Sequence, residues 1–311
     1  MTKNEPGHAR ASGQFSNHPR TYQHIIATPL AGALGAEIYG IDLASLTDQQ
    51  FLELEDALYH HKVVVLRDQH ISHADQEALT ARFGEFGVDV FTEGVKGHEH
   101  VQRVVKEADQ KLSMVFGGSW HTDSAFLERP PAISLLYAVE APPYGGDTWY
   151  ANTALAYAFL TPAMQAIVDP MRIHMSGRDV VAGYKRKRGS GHDLNAMVDK
   201  QELEEMMVRG RYHPLVRRHP KTAELALYVD QTYSVGIEGL AKKEAAALLD
   251  FLFNHIVQPA MTCRVRWQSN TFTLWDNRST LHHAFNDYDG FRREMYRTIV
   301  AGESPLGPLG P

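Results

Sequence analysis

Gly and Pro cut residues 84–150 into short apolar runs, and this constrains the fold more than any other feature of the chain. In AISLLYAVEAPPYGGDTWYA (residues 132–151), runs rich in Ile, Leu, Val and Tyr are bounded by turn formers, which is the pattern of strands rather than helices. KVVVLR (62–67) carries three consecutive valines and suits a strand buried on both faces. HIIATPL (24–30), AEIYGIDL (36–43), HPLVRRHP (213–220), ELALYVD (224–230), RVRW (264–267), FTLWD (272–276) and RTIVAG (297–302) read as further strands. Helices are fewer. Thr47 with Gln50 forms a capping box ahead of a helix over 48–60, and Ser72 caps a second that runs to Arg82 and stops near Gly84. Others are expected near 163–167, 199–207 and 241–256.

The chain has 311 residues, 43% hydrophobic and 22% charged, so a packed core is expected. Residues 1–20 are polar and read as a disordered tail; 21–311 show neither repeat nor linker and read as one domain. Within it, 161–210 reads as an exposed insertion able to cover a site, and its basic run Lys185–Arg188 as a solvated loop. A net charge of −6 offers no general attraction to nucleic acid or anionic lipid. The single cysteine, Cys263, excludes an intramolecular disulfide and a metal site built on thiolates within one chain, so any metal must be held by nitrogen and oxygen. With no signal sequence and no membrane-spanning run, a cytoplasmic protein is expected, and a homo-oligomer by general precedent.

Ser119–Ser124 places His121 and Asp123 two residues apart in a stretch that reads as strand, where alternate side chains share a face. A third, nitrogen ligand would complete the two-His-one-carboxylate triad of oxygen-activating iron sites. WDNRSTLHHA (275–284) offers two candidates for it, His282 and His283. Arg293 and Arg297 follow four apart, on one face of a strand, and a guanidinium fork matches a carboxylate. Metal and arginine together would take a dicarboxylate, chelated at one end and gripped at the other.

These blocks resemble the taurine dioxygenase family of iron(II)/2-oxoglutarate oxygenases, which includes the phenoxyalkanoate dioxygenases. The likeness runs from about Ile25 to Val300 through TPL, GAEI, GIDL, VVVLRDQ, ARFGE, WHTDSAF, GGDTWYA, HPLVRRHP, FLFNHI, RVRW and WDNR with its following His. It implies a mainly β fold with flanking α, a double-stranded β-helix (jelly-roll, cupin-like) with helices packed outside. It implies iron(II) on His121, Asp123 and His282, preferring His282 over His283. Thr148 and Arg293 would hold the distal carboxylate of 2-oxoglutarate, and Arg297 would line the same cavity. With O₂, such an enzyme hydroxylates an unactivated C–H bond and releases succinate and CO₂. Because Asp123 keeps its carboxylate, no position is vacated for chloride, which favours hydroxylation over halogenation.

The pattern departs at the substrate pocket. The taurine enzymes carry a His and a Tyr shortly after RFGE, and an Asn three positions before the WH pair. Here the first region is FGVDVFT (86–92) and the second position is Gly117, so taurine is not expected. Phe91, Phe116 and Tyr233 point to a less polar pocket for a carboxylate, sulfonate or sulfate ester, although core packing is the commoner use of such residues. Asp89 could meet a cationic group, which keeps an amine substrate open. The same centre could also desaturate or cleave an ether, and a non-catalytic binding jelly roll is the reading from another class. His98 and His100 read as surface residues, Arg217 and Arg218 as sheet-surface charges, Trp267 and Trp275 as core.

Overall fold

Val63–Leu66 has no solvent-exposed residue, and alternate side chains serve two different cores. Val64 and Leu66 join Leu54, Leu58, Leu79 and Phe272 on one side, while Val63 and Val65 join Leu136, Tyr150, Trp267 and Met295 on the other. A strand between two apolar layers cannot alternate polar and apolar residues, which is why the valine run is continuous.

The computed structural model describes residues 15–92, 94–110, 117–187 and 201–310. Among these residues the largest sheet has eight strands in the order Ile26–Pro29 (β1), Ala36–Tyr39 (β2), Val63–Leu66 (β3), Thr271–Asp276 (β14), Ile133–Glu140 (β6), Arg293–Val300 (β16), His98–Lys106 (β5) and Gly94–Val95 (β4). Its pairings are antiparallel except β2 with β3. A second sheet, Thr262–Val265 (β13), Thr148–Asn152 (β7) and Thr280–Ala284 (β15), is packed against it through the layer that holds Tyr150, Cys263, Val265 and Trp267. Two facing sheets with helices outside form the jelly-roll core, as expected.

The helices Asp48–His61 (α1) and His73–Phe83 (α2) cover the outer face of the large sheet. Both begin on the expected caps, and the Ser72 cap is a full capping box with Asp75. Thr47 Oγ1 accepts from Gln50 N at 3.2 Å, and Ser72 Oγ from Asp75 N at 3.2 Å. Behind the small sheet lie Thr153–Ala158 (α3) and Lys242–Ile256 (α7), whose Ala245, Leu252 and Ile256 face inward. No described helix is long and apolar enough to cross a membrane.

Two regions differ from the sequence reading. Residues 1–14 lie outside the described residues, but the last part of the stretch read as a loose tail docks. Asn17 is buried, donating Nδ2 to Ala31 O (2.6 Å) and Gly35 O (2.9 Å), and Arg20 pairs with Asp56 at 2.8 Å. A polar side chain that satisfies buried carbonyls offsets the entropy that composition alone weighs. In the region read as an insertion, Pro162–Val168 (α4), Arg178–Lys187 (α5) and Gln201–Arg209 (α6) accompany Arg172–Met175 (β8), which is paired on both sides by Arg211–Pro214 (β9) and Ser234–Ile237 (β12). The side chains of Lys185–Arg188 lie outside the described residues. HPLVRRHP is split between β9 and Val216–Arg218 (β10), the latter paired with Leu225–Leu227 (β11). Arg217 there is not a surface charge: it is buried, pairs with Glu303 at 2.5 Å and lies over the Tyr228 ring.

His213 on β9 holds the turn that carries the candidate carboxylate, donating Nε2–H to Leu127 O at 2.8 Å. Burial lowers its pKa to about 4, and does the same to His61. Both are neutral in the fold and bind a proton near pH 6.5 once unfolded. Their contribution is therefore complete above pH 6.5 and is lost as pH falls towards 4, by up to about 3 kcal/mol per group. The thermal midpoint of the metal-free protein should drop across that window, and less steeply in His213→Gln; equal slopes in the two proteins would remove His213 from this account.

Candidate active site

His121 and His282 face each other across an isolated antiparallel bridge, closed by His121 N to His282 O at 3.0 Å and His282 N to His121 O at 2.8 Å. The ring centroids are 4.0 Å apart. Asp123 Oδ1 stands 3.7 Å from Nε2 of each histidine. Together these form a group in which one ligand atom from each residue lies within 4.8 Å of the others, and all three residues are buried. His283, one residue on, packs on Trp120 and Phe285 instead.

The convergence does not come from a regular strand. Only His121 is bridged; Asp123 sits in a turn that Ser124 enters at φ 43° and that Leu127 N closes on Ser124 O at 3.0 Å. On an ideal strand the two Cα atoms would be separated by roughly 6.6 Å along one face. The turn swings the short carboxylate back towards the imidazole.

His121 Nδ1 lies 2.7 Å from Ser119 O, so the proton sits on Nδ1 and the Nε2 lone pair faces Asp123. Burial lowers the pKa of His121 and drives that of His282 well down, so both rings are neutral at pH 7. Burial acts on Asp123 in the opposite sense, but His282, Arg297, His121 and the Ser134 hydroxyl together hold it down at about 2. The result is two neutral nitrogen donors and one anionic oxygen donor, which suits a divalent cation of intermediate softness.

A one-way hydrogen-bond chain fixes the carboxylate. Trp275 Nε1 can only donate, and it does so to Asn277 Oδ1 at 3.0 Å. This turns the Asn277 amide so that Nδ2 donates to Ser134 Oγ at 2.8 Å, leaving the Ser134 proton for Asp123 Oδ2 at 2.5 Å. Oδ2 is occupied, and Oδ1 faces the histidines. Asn277 is itself held at the β14–β15 turn by Asp276, whose carboxylate takes Arg278 Nε at 2.8 Å, Arg278 Nη2 at 2.6 Å and His219 Nε2 at 2.8 Å.

Beside the triad is a small cavity, partly open to solvent, lined by Val104, Gly117, Leu136, Thr148, Tyr150, Trp275, Ala284, Arg293 and Arg297 as well as both histidines. Thr148 accepts from Trp267 Nε1 at 2.9 Å and keeps its own hydroxyl proton for another partner. Arg293 is buried against the Trp267 and Tyr288 rings, and its Nε meets no acceptor. Among the described residues no carboxylate pairs with it, and burial lowers its pKa. Arg297 differs. It pairs with Asp89, and its Nη1 is 3.5 Å from Asp123 Oδ1.

Asp89 therefore meets a cation, but that cation is Arg297. The rest of its carboxylate takes Phe91 N at 2.6 Å, Thr92 N at 3.2 Å and Thr92 Oγ1 at 3.0 Å, which withdraws the reason to expect an amine substrate. Phe91 and Tyr233 are buried and both pack edge-on to Phe126; Tyr233 also reaches the His121 ring at 6.4 Å. Phe116 lies outside the described residues. Gly117 takes φ 77°, and a Cβ there would stand 3.2 Å from His121 Cε1, so any larger residue would crowd that ring. His98 pairs with Glu77 at 2.7 Å and His100 stacks on Phe86, away from the cavity. Ser134, Asn277 and Tyr150 escaped the sequence reading. Their signals were a polar residue inside an apolar strand, the residue after Trp-Asp, and the second residue after Thr148.

Residues 27–299 match the family model described as taurine catabolism dioxygenase TauD, TfdA family. An alpha-ketoglutarate-dependent sulfate ester dioxygenase from Pseudomonas putida is 32% identical over 91% of each chain. An alkylsulfatase from Acinetobacter baylyi is 30% identical over 93% of this chain and 88% of its own. A solved structure described as a taurine dioxygenase from Burkholderia xenovorans superposes with a TM-score of 0.78 at 33% identity, covering 93% of this chain and 95% of that one.

Proposed function

The chain belongs to the TauD, TfdA family of taurine catabolism dioxygenases, and on that premise we propose that His121, Asp123 and His282 hold iron(II) while Thr148 and Arg293 receive the distal carboxylate of 2-oxoglutarate. The protein is a 2-oxoglutarate-dependent non-haem iron dioxygenase. It hydroxylates a small organic acid other than taurine. The observation that carries the assignment of residues is the presence, beside one cavity, of a buried nitrogen–nitrogen–carboxylate set and a buried guanidinium that forms no ion pair among the described residues. A dicarboxylic 2-oxoacid answers both. When bound, iron and co-substrate supply the oxidative decarboxylation that yields succinate, CO₂ and hydroxylated product.

The chain's own residues do the positioning. Nδ1–H of His121 is spent on Ser119 O, so Nε2 is presented as a ligand without a tautomer change. Ser134 ties Asp123 Oδ2, so Asp123 would offer Oδ1 alone to a bound metal, and three protein ligands would leave the metal able to take co-substrate and O₂. Val104, Leu136 and Trp275 make part of the cavity wall apolar, which strengthens the pairing of Arg293 with an incoming carboxylate. Arg297, pinned by Asp89, sets a second positive charge next to the metal ligands.

We take the substrate to be a sulfate ester, sulfonate or carboxylate with an apolar body, because the names of the relatives point to organic sulfates and Phe91, Phe126 and Tyr233 form an apolar wall near His121. Small-molecule turnover in the cytoplasm by an assembly of identical subunits completes the reading. Anaerobic addition of iron(II) and 2-oxoglutarate should produce a visible charge-transfer band, and succinate release should rise with alkyl or aryl sulfates but not with taurine. Absence of the band would overturn the residue assignment; strong stimulation by taurine would overturn the substrate class.

A further inference from the structure

Tyr150 is fully buried on β7, its ring stacked on His282 at 6.0 Å and tilted against Trp275 at 5.7 Å. It lines the cavity, yet its hydroxyl oxygen meets no hydrogen-bond partner among the described residues. A buried hydroxyl without a partner is a standing cost, and a phenylalanine would fill the same space without it. Thr148 and Tyr150 are two apart on one strand and share a face, and Arg293, the third polar group of that wall, also carries a buried donor with no acceptor. Thr148, Tyr150 and Arg293 line one space, and the Tyr150 hydroxyl and Arg293 Nε have no partner among the described residues.

We propose that the Tyr150 hydroxyl is a further binding group for the co-substrate, donating a hydrogen bond to the distal carboxylate of 2-oxoglutarate alongside Thr148 and Arg293. The inference rests on reading the cavity as the 2-oxoglutarate site. The sequence already shows the spacing, since the Tyr of GGDTWYA is the second residue after Thr148. Only the unpartnered oxygen distinguishes it from a core aromatic.

The test is Tyr150→Phe, which keeps the ring on His282 and removes one oxygen. Calorimetric titration of the Mn(II)-loaded protein with 2-oxoglutarate under argon should show affinity roughly 10- to 100-fold weaker than wild type, the range for a hydrogen bond to a charged acceptor. Mn(II) affinity should be unchanged, and the thermal midpoint without 2-oxoglutarate should be equal or higher. Wild-type affinity in the variant, or a lower midpoint with unchanged affinity, would overturn the proposal and return Tyr150 to a packing role. A wild-type protein that binds Mn(II) but not 2-oxoglutarate would overturn the reading of the cavity, and the proposal with it.

Discussion

Replacing Asp123 with Ala is expected to abolish succinate release and to weaken Mn(II) or iron(II) binding more than any change outside the three ligands. The variant loses the only anionic donor of the set and exposes Arg297 Nη1, now 3.5 Å from Asp123 Oδ1, to the metal with no intervening negative charge. Ser134→Ala gives the scale. It keeps the ligand but releases Oδ2, and loss of such an orienting partner costs roughly 10- to 100-fold in metal affinity. Asp123→Ala should fall well beyond that range, with folding retained, as read by metal titration and by thermal midpoint in chelator. A protein of this fold that only bound ligands would keep its ligand affinity in Asp123→Ala. Wild-type metal affinity in the variant would place the ion elsewhere in the chain.

How much of this was legible in the sequence differs between layers of the fold. The valine run of β3 and the two N-caps, Thr47 and Ser72, announce themselves because their causes are local: continuous burial, and a side chain reaching three residues along. Candidate ligands could be named from residue type and spacing, and the choice between His282 and His283 came from the resemblance, since alternation says only that one faces inward. What could not be read is the turn at Ser124, because a positive φ on a non-glycine residue is imposed by its surroundings. Asp89 illustrates the other limit. Its partner Arg297 is 208 residues away, so the sequence offered a free acid where the fold has an ion pair. Arg217 failed for the same reason, its neutralising group being Glu303.

Arg293→Leu should separate the co-substrate site from the metal site. The guanidinium is buried, and among the described residues its Nε has no acceptor and no carboxylate forms an ion pair with it. Before ligand binding this arrangement is unfavourable: burial lowers the Arg293 pKa, and the Trp267 and Tyr288 rings compensate only in part. Leucine removes the buried charge and keeps an apolar contact, so the metal-loaded but otherwise ligand-free protein should melt at the same temperature or higher. The carboxylate of 2-oxoglutarate, by contrast, would then enter a desolvated cavity without its counter-charge. Removing one partner of a buried charge pair costs about 2–5 kcal/mol, which corresponds to roughly 30- to 4,000-fold in Kd. Mn(II) affinity should stay within a few-fold of wild type, because Arg293 lines the cavity but is not one of the three ligands. A raised or unchanged melting temperature combined with a large loss of 2-oxoglutarate affinity is a signature that a structural arginine cannot give, since truncating a residue that holds the fold together lowers both. A variant that melts lower and still binds 2-oxoglutarate normally would mean that the distal carboxylate is held by other groups, with Arg297 the first to examine.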